Sequence, residues 1–473
     1  MALFFDSVYF SYSSSIEPVL RNISAEFHAG WTGITGDNGA GKTTFLMLAA
    51  GLLEPQSGKI AGAGGVYCPQ RTDELPDSWE DFFYAGGNEA GRLIARLGIE
   101  ADWPFRWETL SHGERKRMQI GAALWRRPEI LAMDEPSNHL DREAAKLVAE
   151  ILESYQGIGL LVSHDRALLD RLCGQCLFIR QGTAALRPGG ISCGLREEER
   201  EAMEARRTRK RLTDTREHLA AEACARRRVV EGSKNRLSKK HIDPKDKDTK
   251  GKINLARLSG KDRIGADLYK RMEDRLARLD ADLKNVSVPV QRKCGVTLKT
   301  NRAKMDRVCL IPAGMLPLGE GRSLSFPELL VYPGDRIALT GPNGAGKSSL
   351  IRFIVEQCVP KENVPLLYLP QEISAGESGA ALDALERESD AVRGEILARF
   401  SRLGADPLLL RQSRLPSPGE IRKLLIARGV FSNPALIIMD EPLNHLDLRS
   451  IRLLEETLRE VSCAMLLVSH DET

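Results

Sequence analysis

Short apolar runs alternate with stretches whose apolar positions recur at helical spacing, and the whole alternation occurs twice along the 473-residue chain. In the first half, WTGIT (31–35) and ILAMD (130–134) read as buried strands, and FLMLAAGLL (45–53) reads as a helix. In the second half RIALT (336–340), LIIMD (436–440) and SLIRFIVEQ (349–357) fill the same places. Continuous apolar runs that end in a carboxylate predict central strands of a mainly parallel sheet, covered on both faces. Each half is therefore expected to be an α/β domain. Between the halves the pattern changes. Residues 196–232 are dense in Glu, Arg and Ala without Pro, which predicts a long exposed helix. Residues 233–252 are polar and interrupted by Pro244, and Leu268, Met272, Leu276, Leu279 and Leu283 then form one helical stripe. Together these predict a helical hairpin with an apolar seam, each arm about 45 Å long for about thirty residues.

The two halves are copies. Gly36 of GDNGAGKTT recurs as Gly341 of GPNGAGKSS, an offset of 305. Ser111 of LSHGERKRM recurs as Ser417 of PSPGEIRKL, Asp134 of ILAMDEP as Asp440 of LIIMDEP, and His164 of LLVSHD as His470, each offset by 306. So long a period means a duplicated domain rather than a solenoid. The expected division is a first domain at 1–192, a charged linker at 193–292 and a second domain at 293–473. The second is expected to be C-terminally shortened, because the chain stops three residues beyond His470.

Charge changes the picture only through its distribution. The total is +3, but residues 226–263 hold 14 Lys or Arg against 5 acidic residues, leaving 54 against 60 elsewhere. A basic hairpin tip suits a polyanion, although a solvated linker has the same composition, and both readings stand on charge alone. No apolar run reaches the about 18 residues that span a bilayer. The start lacks the basic and apolar regions of a signal peptide, and nine scattered cysteines fit a reducing compartment. A cytoplasmic protein without membrane insertion is the expectation. Cys173 and Cys176 form one CxxC, which without a second pair reads as two semi-buried core residues.

GDNGAGKT and GPNGAGKS both satisfy GxxxxGK[ST], each after an apolar strand and before a helix. Gly36, Gly39 and Gly41, with Gly341, Gly344 and Gly346, let the backbone wrap phosphates and aim N–H groups at them, joined by Asn38, Thr44, Asn343 and Ser349. Lys42 and Lys347 are placed to reach β- and γ-phosphates, and Thr43 and Ser348 to hold Mg²⁺. Asp134 and Asp440 end buried strands, where a carboxylate calls for a cation. Glu135 and Glu441 follow; by strand alternation they point elsewhere and can polarise a water in line with the γ-phosphate. His164 and His470 sit at the sheet edge where ligands bind, placed to touch the γ-phosphate or that water. ATP and Mg²⁺ are the implied ligands, and ATP hydrolysis the implied reaction.

The order of loop, Gln, LSxGE, DEP, NHLD and SHD resembles the ATP-binding cassette superfamily. Within it the chain resembles the ABC-F proteins, whose two cassettes are joined by a charged helical linker. The likeness is carried by KNRLSKKHIDPKDKDTKGKINLARLSGKD, LSFPELLVYPGDRIALTGPNGAGKSSL and SPGEIRKLLIARGVFSNPALIIMDEPLNHLD, and it covers nearly the whole chain. The resemblance implies two cassette-type P-loop domains joined by a helical hairpin and docked head to tail within one monomeric chain. It makes Gln70 and Gln371 Q-loop residues near Mg²⁺ and sets Tyr12 against adenine. It makes Ser111 and Gly113 cap the ATP held by Lys347, and Ser417 and Gly419 the ATP held by Lys42. It implies ribosome binding at the tRNA exit site, as a translation factor or an antibiotic-resistance ribosomal protection protein. Arg236, Lys239, Lys240, Lys245 and Lys247 would then contact tRNA or rRNA backbone. The alternative is the soluble ATPase subunit of a membrane transporter. Two departures bear on the sites: His112 and Pro418 stand where many cassettes have Gly, and Leu316 falls near the place equivalent to Tyr12.

Overall fold

The computed structural model describes every residue except 1, 14–17, 63, 85–87, 139, 237–260, 287–306, 320–321, 343, 360–363, 408–409, 411–415, 445 and 469–473. Contacts divide the chain into one unit made of Met1–Gly194 with Arg292–Thr473, and a second, Leu195–Gln291.

In the first cassette, β1 (Leu3–Phe10), β2 (Leu20–Phe27) and β4 (Ser57–Ala61) form an antiparallel sheet ordered β2-β1-β4. The main sheet holds β3 (Gly30–Gly36), β5 (Val66–Cys68), β6 (Ile130–Asp134), β7 (Ile158–Val162), β8 (Cys173–Arg180) and β9 (Thr183–Pro188), ordered β5-β6-β7-β3-β8-β9. All its pairs are parallel except β8 with β9. Every residue of β6 and β7 is buried, as the unbroken apolar runs require. Helix α1 (Lys42–Ala49) follows β3, and α2 (Trp79–Tyr84), α3 (Asn88–Leu97) and α4 (His112–Trp125) form a lobe between β5 and β6. Helices α5 (Arg142–Glu153) and α6 (Arg166–Leu172) complete the crossovers. Phe5, Phe27 and Phe45 seal the two sheets together, the rings of Phe5 and Phe45 stacked at 4.5 Å. Cys173 and Cys176 are buried on β8, where burial pushes both thiols up, Cys176 to about 12. They are core residues, and among the described residues no cluster of His, Cys, Asp or Glu could cage a metal.

Two helices of the linker lie among the described residues. Helix α7 (Ile191–Arg236) has 46 residues and α8 (Lys261–Asn285) has 25. At about 1.5 Å per residue α7 exceeds the expected arm length. No proline interrupts it. Arg216 donates to Asp280 at 2.5 Å and Arg227 bonds Tyr269, so the helices pair antiparallel. Met272 is buried but Leu268 is 40% exposed, so the seam is sealed only in part.

The second cassette has a four-stranded parallel sheet ordered β14-β17-β16-β15. Before it come β10 (Cys309–Ile311), paired with β13 (Leu329–Val331), and the hairpin of β11 (Gly314–Gly319) and β12 (Arg322–Phe326). The sheet strands are β14 (Arg336–Leu339), β15 (Leu366–Leu369), β16 (Leu436–Asp440) and β17 (Ala464–Val468). Helix α9 (Lys347–Phe353) is prolonged by a π turn at Ile354–Cys358. Helices α10 (Ala375–Arg387), α11 (Asp390–Arg402) and α12 (Pro418–Phe431) form its lobe, and α13 (Leu448–Glu460) precedes β17.

Candidate active site

Each Gly-rich loop leaves a parallel strand and enters a helix at a glycine in the left-handed region, Gly41 at φ 97° and Gly346 at φ 92°. A Cβ there would come within 2.8 Å of Val19 or Leu318. The loops thus need glycine twice over, for conformation and for space. Lys42 donates to the carbonyls of Gly36 and Asp37 at 2.8 and 3.3 Å, and Lys347 to those of Gly341 and Pro342 at 2.7 and 3.0 Å. Burial pushes both lysines down, and carboxylates oppose it. For Lys42 these include Asp447 of the second cassette; for Lys347 they include Asp141 of the first. Each loop lysine therefore lies in the field of the other cassette's NHLD aspartate.

Asp134 is 3% exposed, and one of its oxygens accepts from Thr43 at 2.6 Å and from Tyr67 at 3.3 Å. Burial pushes its carboxyl up, while Thr43 and Lys116 pull it back. In the second cassette Ser348 donates to Gln371 at 3.4 Å, and Asp440 is 2% exposed. These donors are all oxygen, the set a hard divalent cation takes, and among the described residues no protein cage closes the site against phosphate oxygens.

Glu135 and Glu441 do not continue the strand alternation expected of them. Both have φ 49°, and each donates its N–H to the neighbouring strand, to Val162 at 2.8 Å and to Val468 at 3.0 Å. The chain leaves the strand through a left-handed residue, and that turn aims the carboxylate. Non-glycine residues rarely take this conformation, and buried strands on both sides hold it. Burial pushes Glu135 up to about 8, the Asp134 charge adds to this, and Lys42 opposes it. His164 lies with Nε2 3.3 Å from Glu135 and donates its backbone N–H to the same carboxylate at 3.2 Å.

Ser111 and Ser417 cap α4 and α12. Each hydroxyl accepts from the N–H of the glutamate three residues on, Glu114 or Glu420, and each serine N–H donates to that carboxylate at 2.8 Å. The Glu of each GE pair is thus a helix lock. His112 and Pro418 fall at the first helical position, where proline costs no hydrogen bond.

A cleft of about 880 Å³ joins the cassettes. Ser111, His112 and Gly113 line it from the first; Gly344, Gly346, Lys347, Ser348, Ser349, Gln371, Asp440 and Glu441 line it from the second. Arg166 bridges the cassettes here, donating to the carbonyl of Leu448 at 3.3 Å and lying 4.0 Å from Glu455. Leu318 and Arg322 of the β11–β12 hairpin border the cleft in place of Leu316. Leu318, near the end of β11, packs on the loop, where a Cβ on Gly346 would meet it at 2.8 Å. In the first cassette Tyr12 packs edge-on against Phe10, and its hydroxyl is 3.1 Å from that of Thr44 on α1. Asn343, His470, Lys239, Lys240, Lys245 and Lys247 lie outside the described residues, and Arg236 ends α7.

Two buried cations escape a reading by motif. Lys116 and Arg422 are each 1% exposed. Lys116 donates to the carbonyls of Pro69 at 2.6 Å and Asp134 at 3.3 Å; Arg422 donates to those of Gln371 at 2.6 Å and Glu441 at 2.7 Å. Each cation ties the helix behind the signature serine to the Gln segment and to the DE strand end. Their signal was the basic residue five places after each serine. Lys116→Met, which strands those carbonyls, is expected to cost about 2–4 kcal/mol. Urea unfolding checks this, and Lys116→Arg, the side chain of the other copy, is expected to restore most of the loss.

Paired P-loops with acidic strand ends, and a capped serine from one half facing the loop lysine of the other, define a twin-cassette nucleotide-binding ATPase fold. The family described as ABC transporter matches residues 20–138 and 327–444. The chain belongs to the ATP-binding cassette superfamily, in its ABC-F branch. It is 30% identical to the tylosin resistance ATP-binding protein TlrC of Streptomyces fradiae, over 96% of this chain and 92% of that one. It is 27% identical to the ribosome protection protein VmlR of Bacillus subtilis (strain 168), over 98% and 83%. The solved structure of an RNase-L inhibitor shares the fold with a TM-score of 0.61, at 19% identity over 98% of this chain and 85% of that one. No helix among the described residues is long and apolar enough to cross a membrane.

Proposed function

We propose that this chain hydrolyses ATP to ADP and phosphate in two clefts shared between its cassettes, and that the cycle governs its hold on the ribosome. The observation that carries the reading is the cleft lined by both Ser111 of one cassette and Lys347 of the other. In this reading the loop lysines bind β- and γ-phosphates, the facing serine and glycine close over them, and Tyr12 meets adenine in the first site. Thr43, Asp134 and Gln70, with Ser348, Asp440 and Gln371, would hold Mg²⁺, which when bound neutralises charge developing on the phosphates. Glu135 and Glu441 orient the attacking water, and His164 holds Glu135 in place.

The ribosomal part is supported by relatives named for tylosin resistance and ribosome protection, which align across the linker as well as the cassettes. The domain division at 192 and 292 belongs to the same reading. Arg236, Lys239, Lys240, Lys245 and Lys247 supply contacts to tRNA or rRNA phosphates. A transporter subunit would have no use for them. Purified Glu135→Gln, Glu441→Gln protein is expected to co-sediment with ribosomes at least about tenfold more strongly in ATP than in ADP, and binding should fall steeply with salt. Equal sedimentation in both nucleotides would remove the ribosomal coupling.

A further inference from the structure

Four aromatic rings gather on the helical lobe of the first cassette. Trp79 is their hub, its ring centroid 6.4 Å from Phe83, 6.3 Å from Tyr84 and 5.9 Å from Phe105. Tyr84 is 69% exposed and Phe105 is 73% exposed. Trp79 and Phe83 are half-buried, so the two exposed rings are joined through them into one apolar face, which marks an interaction surface rather than scattered surface residues. Carboxylates flank Trp79 along the chain. Asp73, Glu74, Asp77, Glu80 and Asp81 are all exposed, and among the described residues none of them has an ion-pair partner.

The duplication supplies an internal control. Residues 71–125 contain eight aromatics, including four of the chain's five tryptophans. The matching stretch 372–431 contains two, of which Phe400 is buried and Phe431 half-buried. ATP handling is common to both copies, so it does not explain rings found in one. The face also adjoins the nucleotide machinery. Trp107 donates to the carbonyl of Asp73 at 3.1 Å and Gln119 to that of Arg71 at 2.8 Å, which fastens the segment after Gln70 to the lobe.

We propose that this face docks a protein segment rich in Lys and Arg with apolar residues between them. The rings take the apolar side chains and stack on guanidinium or ammonium groups, and the five carboxylates pair with the charges. The same carboxylates repel a phosphate backbone, so the partner is protein and not RNA. The proposal goes beyond the proposed function; only the further step, that the segment belongs to a ribosomal protein, rests on that reading.

The test places a photoreactive p-benzoylphenylalanine at Phe105 in the full chain, irradiates living cells and identifies what is joined to it. A crosslink to a Lys- and Arg-rich protein that falls about tenfold on adding Glu80→Lys with Asp81→Lys, and equally on adding Trp79→Ala, supports the proposal. A crosslink to RNA, to another part of this chain, or to a protein whose capture survives the charge reversal overturns it, as does no crosslink. A basic partner that is not ribosomal leaves the docking face standing while counting against the ribosomal reading. ATP turnover of the Glu80→Lys, Asp81→Lys protein is expected to stay within twofold of the parent. That shows the lobe is folded.

Discussion

Changing Glu135 and Glu441 together to glutamine is expected to lower ATP turnover by about 10²–10³-fold while nucleotide binding survives. Glutamine keeps the size of the side chain and loses the charge that draws a proton from water. Both glutamates are held at φ 49° by an N–H bond to the next strand, so the substitution leaves their aim unchanged. The first site also carries a pH signature. Burial pushes Glu135 up to about 8, so its carboxyl is largely protonated at pH 7 in the nucleotide-free protein. Catalysis needs the ionised form, so kcat/KM is expected to rise between pH 6.5 and about 9 on this account. Glu135→Gln should erase that limb. The same shift has a stability cost. The folded protein holds a proton that the unfolded chain, with the ordinary value of 4.5, gives up sooner. Stability from this group is therefore full below about 4.5 and is lost as pH rises through about 8. Phosphate release across pH checks the rate limb, and urea unfolding across the same pH range checks the loss of stability. A double variant that retains more than a tenth of parent turnover would show that water is not oriented here.

What the residues announce in advance depends on how local the cause is. The phosphate loops, the buried DE strands and the duplicated order are legible because spacing and hydrophobic run are local and chemistry demands both. The left-handed turn at Glu135 and Glu441 is not, because no glycine marks it; the neighbouring strands impose it after the sheet forms. Lys116 and Arg422 look like surface charges in GERKRM and GEIRKL, and only the packing of the signature helix on the Gln segment buries them. Leu316 was the near match to Tyr12 by count, yet Leu318 borders the cleft, because the hairpin geometry sets which residue reaches it. The aromatic rings of the first lobe were equally visible as letters, but their exposure is a property of the fold.

Ser111→Asp is expected to weaken ATP binding at the opposite cassette's loop and spare the loop of its own. Aspartate remains a good cap for α4, so the helix start survives. It also sets a negative charge in the cleft that Lys347 and Ser348 line. A unit charge about 5 Å from a phosphate oxygen, at an effective dielectric of about 20, is unfavourable by about 3 kcal/mol, or about a hundredfold in affinity. Equilibrium dialysis with ATP should then find near one nucleotide per chain at concentrations where the parent binds two. Combining variants identifies which loop is lost. Ser111→Asp with Lys347→Ala damages one site twice, so the pair should bind little worse than either single change. Ser111→Asp with Lys42→Ala damages both sites and should leave almost no binding. This pattern of non-additivity follows only if the two residues share a nucleotide. The reverse pattern, with coupling between Ser111 and Lys42, would mean that each cassette closes over its own ATP, and the fields of Asp447 on Lys42 and Asp141 on Lys347 would need another explanation.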